Sequence, residues 1–157
     1  MSFAKGTVVP VERTRAEIEK TIMNYGADEF SSGFMNGQAA IQFRVRERRV
    51  RFVLDLPNQD WARKQVMSQK RPRWYNASSI PATILAPLVD AEHRLRWRCL
   101  LLAIKAKLEI VDSGIATFDE EFLAHIVIDD GQDQRTVYER VVALTAGGGR
   151  PLLPPVR

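Results

Sequence analysis

Apolar and polar residues alternate along most of the segment from Gln38 to Leu56. An alternation with a period of two is typical of a β-strand that packs one face on a core. The segment divides into two such strands, which predicts a β-hairpin. Its apolar face would carry Ile41, Phe43, Val45, Val50, Phe52, Leu54 and Leu56. Its opposite face would carry four residues that we call the hairpin arginines, Arg44, Arg46, Arg49 and Arg51.

The turn of the hairpin decides which of these arginines face one another. A loop at Glu47-Arg48 gives two facing pairs, Arg44 with Arg51 and Arg46 with Arg49. Like charges directly opposite each other destabilise a strand pair. We therefore expect a counter-charge, which comes either from an acidic neighbour such as Asp28 or Glu29 or from a bound anion.

Helical spacing and capping signals predict the elements on either side of the hairpin. Thr14 and Glu17 fit a capping box, in which each side chain bonds the other's free backbone amide, so a helix is expected from Arg15 to Tyr25. A strand over Asp28–Phe34 and a tight turn at Asn36-Gly37 follow. Together with the hairpin, this strand makes a three-stranded antiparallel meander.

The longest helical pattern begins at Pro87, a residue suited to a first helical turn, and ends at Gly114. A stripe at helical spacing marks it as the central core helix. This stripe contains Trp97, Leu100, Leu101, Ile104, Leu108 and Val111, and it is widened by Leu88, Leu95 and Leu102.

Two further capping boxes open shorter helices near the end of the chain. The first box, Thr117 with Glu120, predicts a helix that runs to Val127 and buries Phe118, Phe122, Leu123 and Ile126. The second, Thr136 with Glu139, follows a turn at Asp129–Gly131. The predicted fold is therefore α+β, with the antiparallel meander packed against a long central helix and two to three shorter helices. One domain over 1–146 and a flexible tail over 147–157 are expected.

The segment 57–87 has a different composition, because prolines and basic residues are interleaved there with Trp61, Trp74 and Tyr75. This pattern predicts a long loop with little regular structure, and a loop of that length is either functional or mobile. Aromatic faces stack on bases while basic side chains hold phosphates, so these three aromatic residues are candidate ligand contacts. The alternative is that they pin the loop to the core.

Composition narrows the class of protein without naming it. The chain has 157 residues, 45% hydrophobic and 27% charged, with a formal net charge of +4. Its single cysteine, Cys99, lies in an apolar segment, which predicts a buried thiol and excludes an internal disulfide. No run reaches the 18 apolar residues of a membrane span. We expect a cytoplasmic protein that does not contact a membrane.

Motifs for catalysis are scarce, so we expect no cofactor or metal and favour a protein without enzymatic activity; the alternative is an enzyme whose convergent site needs no motif. His93 and His125 are far apart in the sequence, with no metal-ligand spacing around them. We expect His93 to be exposed and His125 to be half-buried. The acidic run 119–121 stands at a predicted helix start, where negative charge complements the helix dipole. A structural role explains it.

The hairpin arginines are the best candidates for a ligand site, together with Arg94 and Arg98 on one face of the long helix. A guanidinium donates paired hydrogen bonds to phosphate oxygens, so the cluster indicates an anion site. The alternative is a solvated outer sheet face that protects an edge from aggregation.

Several segments together resemble a group of small uncharacterised proteins encoded by bacteriophages, prophages and mobile elements. These segments are 25–27, Phe30, 39–57, 96–98, 105–109 and 114–123. Members of the group have a glycine near the hairpin turn, where this chain has Glu47-Arg48. The resemblance implies a phage accessory protein in a bacterial host cell, acting against a host defence, and it brings no catalytic residues.

Three functions fit these observations. The first is capture of a small phosphorylated nucleotide, such as a defence signal. The second is nucleic-acid binding through the same basic surface, and the third is inhibition of a host enzyme by protein–protein contact. A homodimer or higher homo-oligomer is expected in each case, because the long helix is apolar around more than half its circumference.

Overall fold

The structure, a computed structural model, describes residues 4–35, 37–68 and 80–146. Its helices and strands are, in chain order, α1 (Val11–Tyr25), β1 (Ala27–Met35), β2 (Gln38–Val45), β3 (Arg48–Asp55), α2 (Gln59–Ser68), α3 (Ala82–Asp112), α4 (Phe118–Phe122), β4 (Val127–Asp129), β5 (Gln134–Thr136) and α5 (Val137–Ala146). Strands β1, β2 and β3 form an antiparallel sheet in that order, and the long helix α3 packs on one face of it. The predicted α+β fold is confirmed.

The hairpin has its predicted faces but a different register. Ile41 lies opposite Phe52 and Arg44 lies opposite Arg49, so the turn is formed by Arg46 and Glu47 rather than by Glu47-Arg48. The partners are displaced by two residues from the predicted pairing. Since side chains alternate with a period of two, this displacement leaves every strand residue on its predicted face. Arg46, however, lies in the turn and not on the sheet.

The turn depends on Arg46, whose backbone adopts a left-handed conformation with φ of 55°. That region costs an L-residue about 1–2 kcal/mol, whereas glycine enters it freely. We expect Arg46→Gly to raise the free energy of unfolding by about 0.5–1 kcal/mol, part of the gain being offset by the larger entropy of glycine in the unfolded chain. Urea denaturation measures the difference.

Glu47→Gly is the matched control, because Glu47 does not lie in the left-handed region. We expect this second variant to be less stable than the natural chain. If Glu47→Gly stabilised the protein more than Arg46→Gly, the result would contradict the assignment of the left-handed position to Arg46.

The core lies between the inner face of the sheet, α1 and α3. The predicted stripe of α3 faces it: Trp97, Leu100, Leu101, Ile104 and Leu108 are buried, and Val111 packs against them. Aromatic rings from β2, β3 and α4 meet in the middle of this core. Leu88 and Leu102, which were expected to widen the stripe, are instead exposed by 38% and 37%. They lie on the side of α3 that points away from the sheet.

Helix α1 begins one turn earlier than predicted, at Val11. The carbonyl of Pro10 accepts the backbone N–H of Thr14 at 3.1 Å and so closes the first turn. Thr14 is therefore an interior helical residue on the buried face, in line with Ile18 and Ile22. The predicted capping box at Thr14 is wrong, because Thr14 does not stand at the helix start.

Part of the segment predicted to be an irregular loop is helical. Helix α2 occupies 59–68, and the Asn58 side chain caps it by accepting the Trp61 backbone N–H at 3.0 Å. Helix α3 begins at Ala82, so Pro87 is inside it and not at its start. Residues of α2 and the start of α3 form a small second core, which stabilises both helix ends. It contains Ala62, Val66, Ile80 and Leu85.

The last third of the chain combines confirmed caps with an unpredicted pair of strands. The capping boxes at Thr117 and Thr136 are both present, and Gly131 provides the expected turn. Helix α4 is shorter than predicted, because a 3-10 turn over 123–125 leads into β4, which pairs with β5. Leu123 is consequently 54% exposed.

Three further predictions concern Cys99, membrane-spanning helices and the C-terminal tail. Cys99 is exposed, contrary to the prediction of a buried thiol, because it points away from the sheet. None of the helices within 4–35, 37–68 and 80–146 is both long enough and apolar enough to cross a membrane. The tail over 147–157 lies outside the described residues.

Candidate anion-binding site

Two of the hairpin arginines are neutralised by carboxylates of the protein. Arg44 forms ion pairs of 3.0 Å with both Asp28 and Glu29 of β1, the neighbours that the sequence suggested. The hydrogen bond from Arg44 lowers the pKa of Asp28. Arg51 donates to Glu139 at 2.8 Å and to the backbone carbonyl of Gln134 at 2.8 Å. These contacts attach the hairpin to its neighbours.

The other two hairpin arginines have no carboxylate within ion-pair distance among the described residues. Arg46 is exposed in the turn. Arg49 lies on the outer sheet face, directly opposite Arg44 and two residues from Arg51 on the same strand. Its Nε is buried and makes no hydrogen bond to the described atoms. The positive charge of the hairpin is therefore concentrated at these two side chains.

A fifth arginine of the hairpin segment, Arg48, was not among the predicted site residues. It pairs with Asp119 of α4, with Nη2 at 2.7 Å from Oδ2 and Nε at 2.9 Å from Oδ1. This is the forked geometry in which a guanidinium binds a carboxylate most strongly. Asp119 thus fixes the end of the hairpin to α4, which supports the structural explanation of the acidic run.

The remaining predicted site residues do not gather at the hairpin. Arg98 and Lys105 both pair with Glu17 of α1, at 2.8 and 2.6 Å, and the hydrogen bond from Lys105 is the main reason why the pKa of Glu17 is lowered. Trp61 packs half-buried against the second core. Trp74 and Tyr75 lie outside the described residues. Arg94, in contrast, borders a cavity.

This cavity, which we call the α1–α3 groove, has a volume of about 490 Å³ and lies between the start of α1, the end of β1 and the first half of α3. Its volume falls in the range of small-molecule sites. Residues from all three elements line it, among them Glu12, Arg15, Phe34, Asp90, His93, Arg94 and Trp97. The groove therefore combines basic, acidic and aromatic groups.

Two guanidinium groups border the α1–α3 groove. Arg15 lies over the buried Trp97 ring, with its Cζ 5.5 Å from the ring centroid, and donates one hydrogen bond to Ser32 Oγ at 2.6 Å. Arg94 makes a single long contact, from Nε to the carbonyl oxygen of Thr7 at 3.4 Å. A guanidinium has five N–H donors, so both groups keep donors for a ligand.

His93 and Phe34 complete the groove. His93 was expected to be exposed, but it is half-buried, and its Nε2 lies 2.8 Å from the carbonyl oxygen of Pro57. Since a carbonyl can only accept, Nε2 carries a proton and Nδ1 remains available for another partner. Phe34 is 68% exposed. The groove thus offers an aromatic face beside cationic donors, which suits a ligand with a flat ring and an anionic group.

The described part of the chain contains no cluster of side chains that could hold a metal ion. No group of three or more His, Cys, Asp and Glu side chains within 4–35, 37–68 and 80–146 could hold a metal ion. The acidic run is occupied by structural contacts: Asp119 pairs with Arg48, Glu120 completes the capping box with Thr117, and Glu121 pairs with Lys107.

His125 is half-buried, as predicted, and its protonation affects the stability of the fold. Its ring lies 4.1 Å from the Phe52 ring, and burial together with the positive charge of Lys107 lowers its pKa below the ordinary value of 6.5. The unfolded chain therefore takes up a proton near pH 6.5 that the folded chain does not bind. Stability accordingly falls as the pH drops below about 6.5 through the folded pKa.

We expect His125→Phe to remove this part of the pH dependence. Urea unfolding at pH 7.5 and at pH 5 measures it in the natural chain and in the variant, and both measurements lie above the ordinary pKa of carboxylates such as Glu17. The natural chain should lose more stability between the two pH values. An equal loss in both proteins would contradict the assignment to His125.

Three groove residues, Arg15, Phe34 and His93, were not predicted as site residues. Neither Arg15 nor Phe34 belongs to a motif that indicates a ligand, and only the packing of α1 and β1 around α3 brings them to one place. Of the predicted residues, Arg94 alone lines the groove. No family model, curated protein or solved structure matches the chain.

Proposed function

We propose that the chain is a non-catalytic protein that binds a small phosphorylated ligand, of nucleotide size, in the α1–α3 groove. One observation carries this proposal. The guanidinium groups of Arg15 and Arg94 border one cavity with Trp97 and Phe34, and neither guanidinium forms an ion pair among the described residues, although Glu12 and Asp90 line the same cavity. The four other Lys and Arg side chains of α3 are each paired with a carboxylate.

The contrast with the hairpin favours the groove as the phosphate site. A ligand at Arg44 or Arg51 has to compete with carboxylates already at 2.8–3.0 Å. The carboxylates of Glu12 and Asp90 also line the groove and oppose an anion there. At Arg94, a ligand in the groove displaces only the long contact with Thr7. Charge-assisted hydrogen bonds to phosphate are about twice as strong as neutral ones, so this exchange is favourable.

Phe34 supplies the second part of the recognition. An apolar ring that is 68% exposed beside a cavity gains from being covered by a flat ligand. Stacking of a base on an aromatic side chain contributes about 1–3 kcal/mol and tolerates different bases. A phosphate on the arginines and a base on Phe34 together describe a nucleotide. The resemblance to phage proteins adds the expectation that the nucleotide is a host immune signal.

A thermal-shift panel tests the proposal. It contains linear mononucleotides, cyclic mono- and dinucleotides and, as matched controls, the corresponding nucleosides without phosphate. A ligand at about 100 times its Kd stabilises the fold by about 2.7 kcal/mol, which corresponds to a rise in Tm of several degrees for a chain of this size. We expect such a rise for at least one nucleotide and none for its nucleoside.

Two outcomes would contradict a small-nucleotide site. Unchanged Tm across the panel at millimolar ligand would exclude it. Binding that strengthens with the length of a single-stranded oligonucleotide and weakens steeply with salt would instead favour nucleic-acid binding, because phosphate contacts release counterions.

A further inference from the structure

Two carboxylates line the α1–α3 groove beside its arginines, and a phosphate does not account for them. Glu12 and Asp90 border the same cavity as Arg15 and Arg94. Neither carboxylate forms an ion pair among the described residues. A carboxylate repels a phosphate, but it accepts hydrogen bonds from N–H and O–H groups. The two groups therefore suit a part of the ligand that carries hydrogen-bond donors.

Helices α1 and α3 run side by side in the same direction along the groove. Arg15 of α1 lies over Trp97 of α3, and Glu17, two residues further along α1, pairs with Arg98 and Lys105. Residue numbers thus increase together on the two helices. The starts of both helices lie toward one end of the groove, which we call the helix-start end.

The carboxylates lie nearer the helix-start end than the guanidinium groups do. Glu12 precedes Arg15 by three residues, and Asp90 precedes Arg94 by four. The Cα positions are therefore displaced by roughly 4.5–6 Å along the helices, at a rise of 1.5 Å per residue. Glu12 lies in the first turn of α1, where a negative charge complements the helix dipole. Asp90 lies beyond the first turn of α3, so the dipole does not explain it.

Phe34 lies at the helix-start end as well. Strand β1 follows α1 after Gly26 alone and runs back along it, and Ser32 of β1 accepts a hydrogen bond from Arg15. Phe34 comes two residues later, roughly 6.6 Å further toward the start of α1. A flat ring that stacks on Phe34 therefore lies on the carboxylate side of the groove, and a phosphate joined to it lies on the arginine side.

We infer that the groove selects a guanine nucleotide and that the carboxylates of Glu12 and Asp90 recognise its base. This inference rests on the proposed function. Guanine presents two neighbouring donors on one edge, its ring N–H and its exocyclic amino group. A carboxylate accepts both of them with its two oxygens, and paired hydrogen bonds to an ionised group are among the strongest in proteins.

The other bases fit a carboxylate less well. Adenine and cytosine each place one amino group beside a ring nitrogen that is an acceptor, and uracil places one N–H between two carbonyl oxygens. An acceptor that faces a carboxylate oxygen is repelled by it. Stacking on Phe34 tolerates every base, so the selection depends on hydrogen bonds to the edge of the base.

Calorimetric titration of the full chain with guanosine monophosphate and inosine monophosphate tests the inference. The two nucleotides share the phosphate, the sugar and the ring system, and they differ only in the exocyclic amino group. We expect the natural chain to bind guanosine monophosphate at least ten-fold more tightly, because this nucleotide alone donates a second hydrogen bond to a charged acceptor.

Glu12→Ala/Asp90→Ala removes both acceptors at exposed helical positions, where alanine is well tolerated. We expect the preference for guanosine monophosphate to fall below about three-fold in this variant, since nothing then bonds the amino group. Glu47→Ala/Glu109→Ala is the matched control in charge. It removes two exposed carboxylates near the opposite ends of α1 and α3 and should keep the ten-fold preference. Circular dichroism checks that all three proteins are folded.

The possible failures of this inference and of the proposed function are distinguishable. Equal binding of the two nucleotides by the natural chain would overturn the selection of guanine and leave a nucleotide site in place. A ten-fold preference that persists in Glu12→Ala/Asp90→Ala would also overturn it, even if both nucleotides bound more weakly, because the base is then recognised elsewhere. Absence of binding by every nucleotide of the thermal-shift panel would overturn both proposals.

Discussion

Replacing Phe122 with alanine is expected to lower the free energy of unfolding by about 3–5 kcal/mol, the cost of truncating a fully buried aromatic residue. Phe122 is inaccessible to solvent. Its ring meets the rings of Phe43 and Phe52 edge-on, at centroid distances of 6.1 and 6.3 Å, and stacks on Phe118 at 4.5 Å. The substitution removes all three contacts and leaves a void between α4 and the sheet.

Urea denaturation monitored by circular dichroism measures this loss. Phe122→Leu keeps most of the volume and should cost less than half as much, because the void is smaller and only the ring interactions disappear. Leu123→Ala is the exposed control next to it in the chain and should stay within about 0.5 kcal/mol of the natural protein. A loss below about 1 kcal/mol for Phe122→Ala would show that α4 does not close the core.

Trp97→Ala is expected to be as damaging, at about 3–5 kcal/mol, and to act on the candidate site as well. Trp97 is only 3% exposed, and its indole forms the surface over which the Arg15 guanidinium lies. Removing the indole deletes a large part of the core. It also frees Arg15 from the orientation that points its donors toward the groove.

Trp97→Phe separates the two effects. It retains an aromatic face for Arg15 and should lose less stability than Trp97→Ala, while nucleotide binding weakens by less than ten-fold. Binding and unfolding are measured on the same preparations. If Trp97→Ala bound nucleotide as tightly as Trp97→Phe and was equally stable, the ring would be neither a core residue nor a support for the groove.

The sequence predicts the faces of the sheet better than its register. Ile41, Phe43 and Phe52 are buried as expected because alternation alone assigns them to one side. A hairpin with its turn at Arg46-Glu47 and one with its turn at Glu47-Arg48 bury the same residues, so the pattern cannot distinguish them. The choice depends on the left-handed backbone at Arg46, and arginine gives no signal for that conformation.

The predicted helix boundaries are wrong where tertiary packing outweighs the local sequence signals. Prolines and basic residues indicated a loop after Leu56, yet Asn58 caps a helix that buries Ala62 and Val66 against Leu85. Their burial compensates for a weak local preference. The capping boxes at Thr117 and Thr136 were predictable because both partners of each box lie within one helical turn. The same spacing at Thr14 and Glu17 was misleading, because α1 begins earlier, at Val11.

The ion-pair partners of the arginines could likewise be predicted only where they lie close to the arginine in the predicted sheet. Asp28 and Glu29 could be named for Arg44 because they lie on the adjacent strand. Glu139 is 88 residues from Arg51, and no local pattern connects them. The α1–α3 groove is equally non-local, since α1, β1 and α3 each contribute one part of it.

Calorimetric titration with the tightest-binding nucleotide of the panel tests the central claim, that the groove and not the hairpin holds the ligand. Three proteins are compared: the natural chain, the groove variant Arg15→Gln/Arg94→Gln, and the hairpin variant Arg46→Gln/Arg49→Gln, which matches it in charge and removes the two hairpin arginines without a carboxylate partner among the described residues. We expect Kd to rise at least ten-fold, or about 1.4 kcal/mol, in the groove variant and to stay within two-fold in the hairpin variant. A ten-fold loss in the hairpin variant with unchanged binding in the groove variant would contradict the account.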